Sequence, residues 1–269
     1  MHYYLLKSFA ATILLLVLCS EPNIVRKPNG QGWIVEKHNR WNLFYTHADK
    51  ESIREYSKLF DQGIANVNSF FKSSYEMEFN IFIHPNRHSL DSAWQKDWHM
   101  PDFKSECWMV ASGIATRLDI ISPKTWDKQS CEHSYLQKKS TQELVAHELV
   151  HVFHAQLNVS PDFSNSEGID WFVEGLATYA SGQCDSVRMQ EIKKAIQENR
   201  IPASLDSFWT GKLRYGLSGS VVLYIDQHYG RATLKRLLPL NKKSPILSVL
   251  DTDEGTLLKE WRSFIQNYK

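Results

Sequence analysis

The sequence predicts an α+β protein in which a mixed-sheet N-terminal lobe is followed by a helical C-terminal lobe. Segments rich in β-branched and aromatic residues, which are typical of strands, are confined to the first half of the chain. Segments with apolar residues at helical spacing fill the second half. A composition of 42% hydrophobic and 23% charged residues, with only 12 Gly and 9 Pro, is typical of a packed globular protein. Separation of strands from helices along the chain indicates α+β organisation.

The N-terminal residues have the pattern of an export signal. In residues 1–19 a single early lysine, Lys7, precedes an apolar run shorter than the roughly 20 residues that a transmembrane helix needs. The run ends at Cys19, which resembles the lipidated cysteine of bacterial lipoprotein signals. A cleaved signal, a retained anchor and a lipoprotein signal all place the rest of the chain outside the cytoplasm. We therefore expect a protein that is secreted, periplasmic or attached to a membrane through its N-terminus.

A polar segment separates this signal from the part expected to fold. Residues 20–32 include two Pro and two Gly and are predicted to be a tether. No repeat, charge block or second linker follows in the sequence, so residues 33–269 are predicted to form one domain with lobes of about 33–160 and 161–269. With 31 Lys+Arg against 30 Asp+Glu the chain is nearly neutral, which argues against a nucleic-acid partner.

The first elements follow from local patterns. β-Branched and aromatic residues predict strands at 33–36 and 41–46. Apolar residues at helical spacing predict a helix over 50–71. Alternation predicts a strand at 79–84, which stops at Pro85.

Two more strands and a series of helices complete the predicted fold. Residues 107–111 and 116–121 flank Ser112-Gly113, which is a turn signal, and are predicted to be a pair of strands. The later helices are predicted over 169–181, 185–198, 218–229, 232–238 and 255–268.

The cysteines predict one disulfide. Once Cys19 is set aside, Cys107, Cys131 and Cys184 remain. An oxidising compartment favours a disulfide, and Cys107–Cys131 is the preferred pair because a loop-rich stretch connects them. No two cysteines stand at metal-ligand spacing in the sequence, which disfavours a cysteine-ligated zinc site.

One more helix is predicted between the last pair of strands and the later helices, and this helix carries a metal-ligand pattern. Ser140 and Glu143 have the spacing of a capping box and are predicted to open this helix. At about 100° per residue, His147 and His151 present two imidazoles to one point, which suits a tetrahedral zinc ion. Glu148 lies at the flank of the same face, where it can reach a water held by the metal without ligating the metal. An otherwise apolar helix has no packing reason to place these three side chains together.

A catalytic zinc ion with two histidine ligands needs a third protein ligand. A third histidine six residues after His151 is excluded, because that position is Leu157. Three carboxylates follow within reach: Glu167, Asp170 and Glu174. Glu174 is preferred because it stands in an apolar helical segment, WFVEGLATY, where an unpaired carboxylate would be expensive to bury.

Two motifs, HELVH and WFVEGLATY, carry a family resemblance. Together they resemble the gluzincin metallopeptidases, and in particular the peptidase MA-like branch, whose second motif is Trp-x-x-Glu-Gly-Leu-Ala-x-Tyr. The resemblance implies a thermolysin-like, two-lobed catalytic domain over residues 33–269 that hydrolyses peptide bonds in peptides or proteins, as an endopeptidase. It implies one zinc ion (Zn²⁺) held by His147, His151 and Glu174. Glu148 is the implied general base.

The resemblance extends to a later helix and to a strand. Residues 214–224 and 226–230 resemble a later helix of the family that begins near a tyrosine, and Tyr215 is expected to donate a hydrogen bond to the oxyanion of the tetrahedral intermediate. The Gly-x-Met-Glu-Asn segment of the related aminopeptidases is absent from the sequence, which argues against binding of a substrate amine. Residues 109–113 are instead expected to be an edge strand along which an extended substrate pairs.

Two other classes of function stay open. His154 is expected to have a core or supporting role, but as a fourth ligand it would favour a non-catalytic envelope protein that keeps zinc as a structural staple. Such a protein could also use the cleft to bind a partner. A lipid-anchored binding module is the other alternative.

Overall fold

A six-stranded mixed sheet forms the first part of the described chain. The computed structural model describes residues 24–26 and 32–268. The central strands β3, β4 and β6 are parallel, and β1, β2 and β5 are antiparallel to their neighbours. The order across the sheet is β1-β2-β3-β4-β6-β5. The strands are β1 Ile24–Arg26, β2 Gly32–Lys37, β3 Trp41–Tyr45, β4 Phe79–His84, β5 Ala111–Ile114 and β6 Arg117–Ile121.

Ten α-helices lie within the described residues, and most follow the sheet. None of these helices is both long enough and apolar enough to cross a membrane. They are α1 Ile53–Phe71, α2 Arg87–Asp97, α3 Trp126–Gln129, α4 Lys138–Leu157, α5 Asp170–Ala180, α6 Ser186–Gln197, α7 Arg214–Tyr229, α8 Arg231–Leu237, α9 Lys243–Val249 and α10 Glu254–Asn267. The described chain is therefore an α+β protein with a small mixed sheet.

Helix α4 is the centre of the packing. It contacts α1 on one side, α5 on another, and the strands β5 and β6. The ring of Phe153 stacks on Phe71 with centroids 4.3 Å apart, and Tyr75 Oη donates a hydrogen bond of 2.9 Å to the Leu149 carbonyl. Because α4 is surrounded in this way, His147 and His151 are buried between the sheet and the later helices.

The predicted strand at 79–84 is confirmed, and the neighbouring strands differ from their predicted bounds by one or two residues. The strand predicted at 107–111 is wrong, since β5 begins at Ala111 and includes Ser112 and Gly113. Gly113 is needed for close packing and not for a turn. A Cβ at this position would lie 2.4 Å from the Glu148 carbonyl oxygen.

The capping box is also wrong. Helix α4 begins at Lys138, and its N-cap is Gln137, three residues before Ser140 and without a side-chain hydrogen bond. Glu143 lies one turn into the helix and pairs with Lys139 at 3.4 Å. The Glu143 side chain thus forms an i,i+4 ion pair with Lys139 in place of the capping-box hydrogen bond to the Ser140 backbone.

Two sequence predictions concern the N-terminus. The export signal at 1–19 lies outside the described residues. Within the stretch read as a tether at 20–32, Ile24–Arg26 forms strand β1, which pairs with β2 through Ile24 opposite Ile34. The sheet therefore begins before residue 33.

The disulfide Cys107–Cys131 is confirmed. It joins the loop before β5 to the segment before α4. The Arg87 guanidinium links the same two segments, since it donates hydrogen bonds to the carbonyls of Met109 and Gln129. The edge strand β5 is therefore anchored next to the start of α4.

Gly175, the residue after Glu174, lies where α5 and α7 are in close contact. A Cβ at Gly175 would lie 2.4 Å from the Ser218 carbonyl oxygen and 3.0 Å from a Val222 methyl group. Glycine inside a helix costs about 1 kcal/mol relative to alanine, so this close approach accounts for its presence.

Replacing Gly175 with alanine is expected to lower the free energy of unfolding by about 1–3 kcal/mol, because overpacking against Ser218 outweighs the gain in helix propensity. Urea denaturation measures the change. Gly32→Ala is the matched control, since a Cβ there meets no atom within 4 Å. An unchanged or higher midpoint for Gly175→Ala would show that α7 moves without cost.

Candidate metal centre

Helices α4 and α5 bring three potential metal ligands together. His147 and His151 lie one turn apart on α4, and their Nε2 atoms are 3.1 Å apart. Glu174 of α5 places its Oε2 atom 3.3 Å from His147 Nε2 and 3.5 Å from His151 Nε2. Ligand atoms about 2.0–2.1 Å from a tetrahedral zinc ion are themselves about 3.3 Å apart. The separations fit that geometry, so the cluster could hold a metal ion.

Gln183 orients one of these ligands. Its Oε1 atom lies 2.9 Å from His147 Nδ1, and an amide oxygen accepts a hydrogen bond, so Nδ1 carries the proton. In the neutral ring the lone pair of Nε2 then points into the cluster. Sequence reasoning missed Gln183, because it lies in the loop after α5 and no spacing rule connects it to α4.

Burial and neighbouring charges shift the pKa values of Glu148 and Glu174 in opposite directions. Burial raises the pKa of Glu148 to about 7, with a smaller raising effect from Glu174 and an opposing effect from His147. Burial also acts to raise the pKa of Glu174, but His151 and His147 together hold it well below its ordinary value. Glu174 is therefore ionised in the cluster, as a metal ligand must be.

The cluster lies at the floor of an open cleft of about 780 Å³. Residues 109–114 form one wall, and β5 (Ala111–Ile114), which overlaps the edge strand expected at 109–113, is an edge strand of the sheet. Gly113 lets this strand approach α4 closely, since His151 Cβ would be 3.1 Å from an added methyl group. Glu148 also lines the cleft and is half-buried. Asp170, Val173 and Glu174 of α5 line the cleft as well.

Tyr215 lies on the same cleft at the start of α7. Its ring centroid is 6.2 Å from that of His147. Burial, followed by the charge of Glu174, raises the pKa of Tyr215. The phenol is therefore protonated at neutral pH and available as a hydrogen-bond donor.

The structure separates the other candidate ligands from the cluster. Glu167 is exposed and pairs with Lys242 at 3.0 Å. Asp170 lines the cleft but is not part of the converging group. His154 is fully buried, and its Nε2 atom donates a hydrogen bond of 3.1 Å to the Leu238 carbonyl. Among the described residues, Glu174 is the carboxylate that joins the two histidines.

Burial makes His154 a source of acid instability. Burial, with a smaller effect of His151, lowers the pKa of His154 to about 3. In the unfolded chain the pKa of a histidine is near 6.5. Between about pH 3 and pH 6.5, His154 therefore binds a proton in the unfolded chain but not in the folded chain. This contribution to stability is complete above about pH 7 and is lost as the pH falls below about 6.5.

We expect the free energy of unfolding to fall by about 3 kcal/mol between pH 6.5 and pH 4 because of His154. The measurement is urea denaturation against pH in the presence of a chelator, which removes the separate effect of acid on metal binding. His154→Gln is expected to flatten this part of the profile. An equally steep profile in the variant would contradict a buried neutral His154.

No protein-family model matches the chain, and no curated protein matches it in sequence. The chemistry of this site is therefore interpreted from the side chains that form it.

Proposed function

We propose that this protein is a zinc-dependent metallopeptidase of the gluzincin type, with a two-lobed catalytic domain, that hydrolyses peptide bonds in peptides or proteins outside the cytoplasm. The observation that carries the proposal is the convergence of His147, His151 and Glu174 beneath an open cleft, with Glu148 beside them. The export-signal pattern of residues 1–19 and the Cys107–Cys131 disulfide support the location, since disulfides persist in oxidising compartments.

The donor set supports zinc and a catalytic role for it. Two imidazoles and one carboxylate are the ligands of a well-known class of catalytic zinc sites, which keep the fourth position open. A structural zinc site instead closes all four positions with protein ligands. Among the described residues no fourth His, Cys, Asp or Glu joins the group, and His154 is occupied by its contact with Leu238. A structural zinc site would need His154 as its fourth ligand, so this alternative is less well supported.

The residues around the cluster divide the steps of hydrolysis between them. His147, His151 and Glu174 would hold the zinc ion, which would supply Lewis-acid chemistry for a bound water and for a carbonyl group. Glu148 accepts a proton from the attacking water and returns it to the leaving amine nitrogen. Tyr215 donates a hydrogen bond to the oxygen that gains negative charge. The backbone of β5 holds the substrate as an added strand.

A peptide-library digest tests this function. The full protein is incubated with the library after addition of zinc, and in parallel after addition of a chelator. We expect cleavage with zinc and none with the chelator, because the reaction needs the ion. Zinc that binds without any cleavage would favour the alternative of a non-catalytic zinc-containing envelope protein or binding module. Protein that binds no zinc would exclude both.

A further inference from the structure

Two arginines beside the metal centre lack carboxylate partners. Arg188 of α6 lines the cleft, and Arg214 is the first residue of α7, next to Tyr215. Both side chains are half-buried. In the described part of the chain, the arginines that form ion pairs with carboxylates are Arg117, Arg200 and Arg231. The charges of Arg188 and Arg214 are therefore not compensated by an ion pair within the described chain.

Aromatic rings hold the Arg214 guanidinium in place. Its Cζ atom lies 4.5 Å from the centre of the Trp108 ring, 5.1 Å from that of Tyr215 and 5.6 Å from that of Trp209. All three rings line the cleft. The Nε atom of Arg214 is buried and has no hydrogen-bond partner among the described residues. A cation that is already restricted in this way loses little entropy when an anion approaches.

Arg188 also lies near the ring of Tyr215. Its Cζ atom is 5.5 Å from the Tyr215 ring centre, and its Nη1 atom donates a hydrogen bond to the Gln183 carbonyl. Because the centre of the Tyr215 ring is 6.2 Å from that of His147, the Arg188 Cζ atom lies at most about 12 Å from the centre of the His147 ring. Up to about four extended residues, at about 3.3 Å each, bridge such a distance.

The direction of β5 indicates which end of a peptide reaches these arginines. The strand runs from Ala111 to Ile114, and Trp108 precedes it. A peptide that pairs antiparallel to β5 runs the opposite way, so the part that follows the cut bond points toward Trp108. Trp108 contacts Arg214. The C-terminal part of the peptide therefore approaches the two arginines.

We propose that Arg188, supported by Arg214, forms a subsite that binds a carboxylate on the C-terminal side of a bound peptide. The inference rests on the proposed function, which supplies the peptide. The carboxylate is either the free C-terminus of the peptide or an acidic side chain after the cut bond. A guanidinium presents a planar fork of donors that matches both.

Binding of three peptides to the zinc-loaded full-length Glu148→Gln protein tests the subsite. The first is N-acetyl-Ala-Leu-Ala-Ala with a free C-terminus, the second is its C-terminal amide, and the third is the amide of N-acetyl-Ala-Leu-Ala-Glu. By titration calorimetry we expect at least one carboxylate peptide to bind about tenfold to 100-fold more tightly than the uncharged amide. The first and third peptides together distinguish a C-terminal carboxylate from an acidic side chain.

Arginine variants complete the test. Arg188→Gln is expected to lose the preference for a carboxylate, Arg188→Lys to keep part of it, and Arg214→Gln to weaken it. Arg200→Gln is the matched control, because this exposed arginine at the end of α6 pairs with Glu198. Equal affinity for all three peptides, or a preference that survives in Arg188→Gln, would overturn the subsite.

The same peptides separate failure of the subsite from failure of the proposed function. If the wild-type protein cleaves library peptides but the Glu148→Gln protein binds all three test peptides equally, the subsite is overturned and the peptidase stands. If binding to the Glu148→Gln protein is carboxylate-selective and depends on Arg188, but the zinc-loaded wild-type protein cleaves no library peptide, the subsite is supported and the peptidase is overturned.

Discussion

Replacing Glu148 with glutamine is expected to lower peptide hydrolysis by about 10²-fold to 10⁴-fold and to leave zinc binding intact. Glutamine has nearly the same size as glutamate but cannot accept the proton of the attacking water. Glu148 is not one of the three converging ligands, so its charge is not needed to hold the ion. Turnover of a peptide identified in the library digest, together with zinc content by mass spectrometry, measures both effects.

Glu143→Gln is the matched control for this prediction. Glu143 lies on the same helix and lines the same cleft, but it pairs with Lys139 and is not part of the converging group. We expect wild-type turnover from this variant. Wild-type turnover from Glu148→Gln would show that another group takes the proton.

Replacing Glu174 with glutamine is expected to weaken zinc binding by more than about 100-fold, which is the upper range for loss of a residue that only supports a ligand. The reason is that Glu174 supplies the one carboxylate of the cluster and a neutral amide is a poor zinc ligand. A zinc concentration 100 times the dissociation constant stabilises the wild-type fold by about 2.7 kcal/mol. The variant should lose most of this stabilisation. Thermal unfolding with and without zinc measures the loss.

Glu167→Gln is the control for the third ligand. Glu167 was an open alternative in the sequence, but it is exposed and pairs with Lys242. We expect its variant to keep the full stabilisation by zinc. If Glu174→Gln were stabilised by zinc as strongly as the wild type, Glu174 would not be a ligand.

The sequence predicted well how the two histidines of α4 lie relative to each other, because the relevant geometry is local. Two histidines one turn apart must face the same side of any regular helix, and they do so in α4. The choice of Glu174 over Glu167 and Asp170 depended on the cost of burying a carboxylate among apolar side chains. Burying an unpaired carboxylate is unfavourable against any neighbouring element. Glu174 could therefore be chosen without knowledge of the tertiary structure.

Predictions that depended on local turn and cap preferences failed in two places. Ser112-Gly113 has the composition of a turn but lies inside β5, because only glycine allows this strand to touch the α4 backbone at Glu148. The capping box at Ser140 is not used, and α4 starts at Lys138. At Gly113 the contact with α4 outweighed a weak local preference for a turn. At Ser140 the ion pair between Lys139 and Glu143 outweighed a weak local preference for a capping box.

The sequence by itself determined the order of most elements and the residues that could hold a metal, since each follows from periodicity, spacing or the cost of burial. It favoured the Cys107–Cys131 pair, and the structure decided that pairing. Only the tertiary structure decided what surrounds that metal centre. Gln183 behind His147, and Arg188 and Arg214 around Tyr215, come from three segments whose meeting depends on the packing of α5, α6 and α7. No local rule encodes such contacts, because their free energy is gained only after the helices have packed.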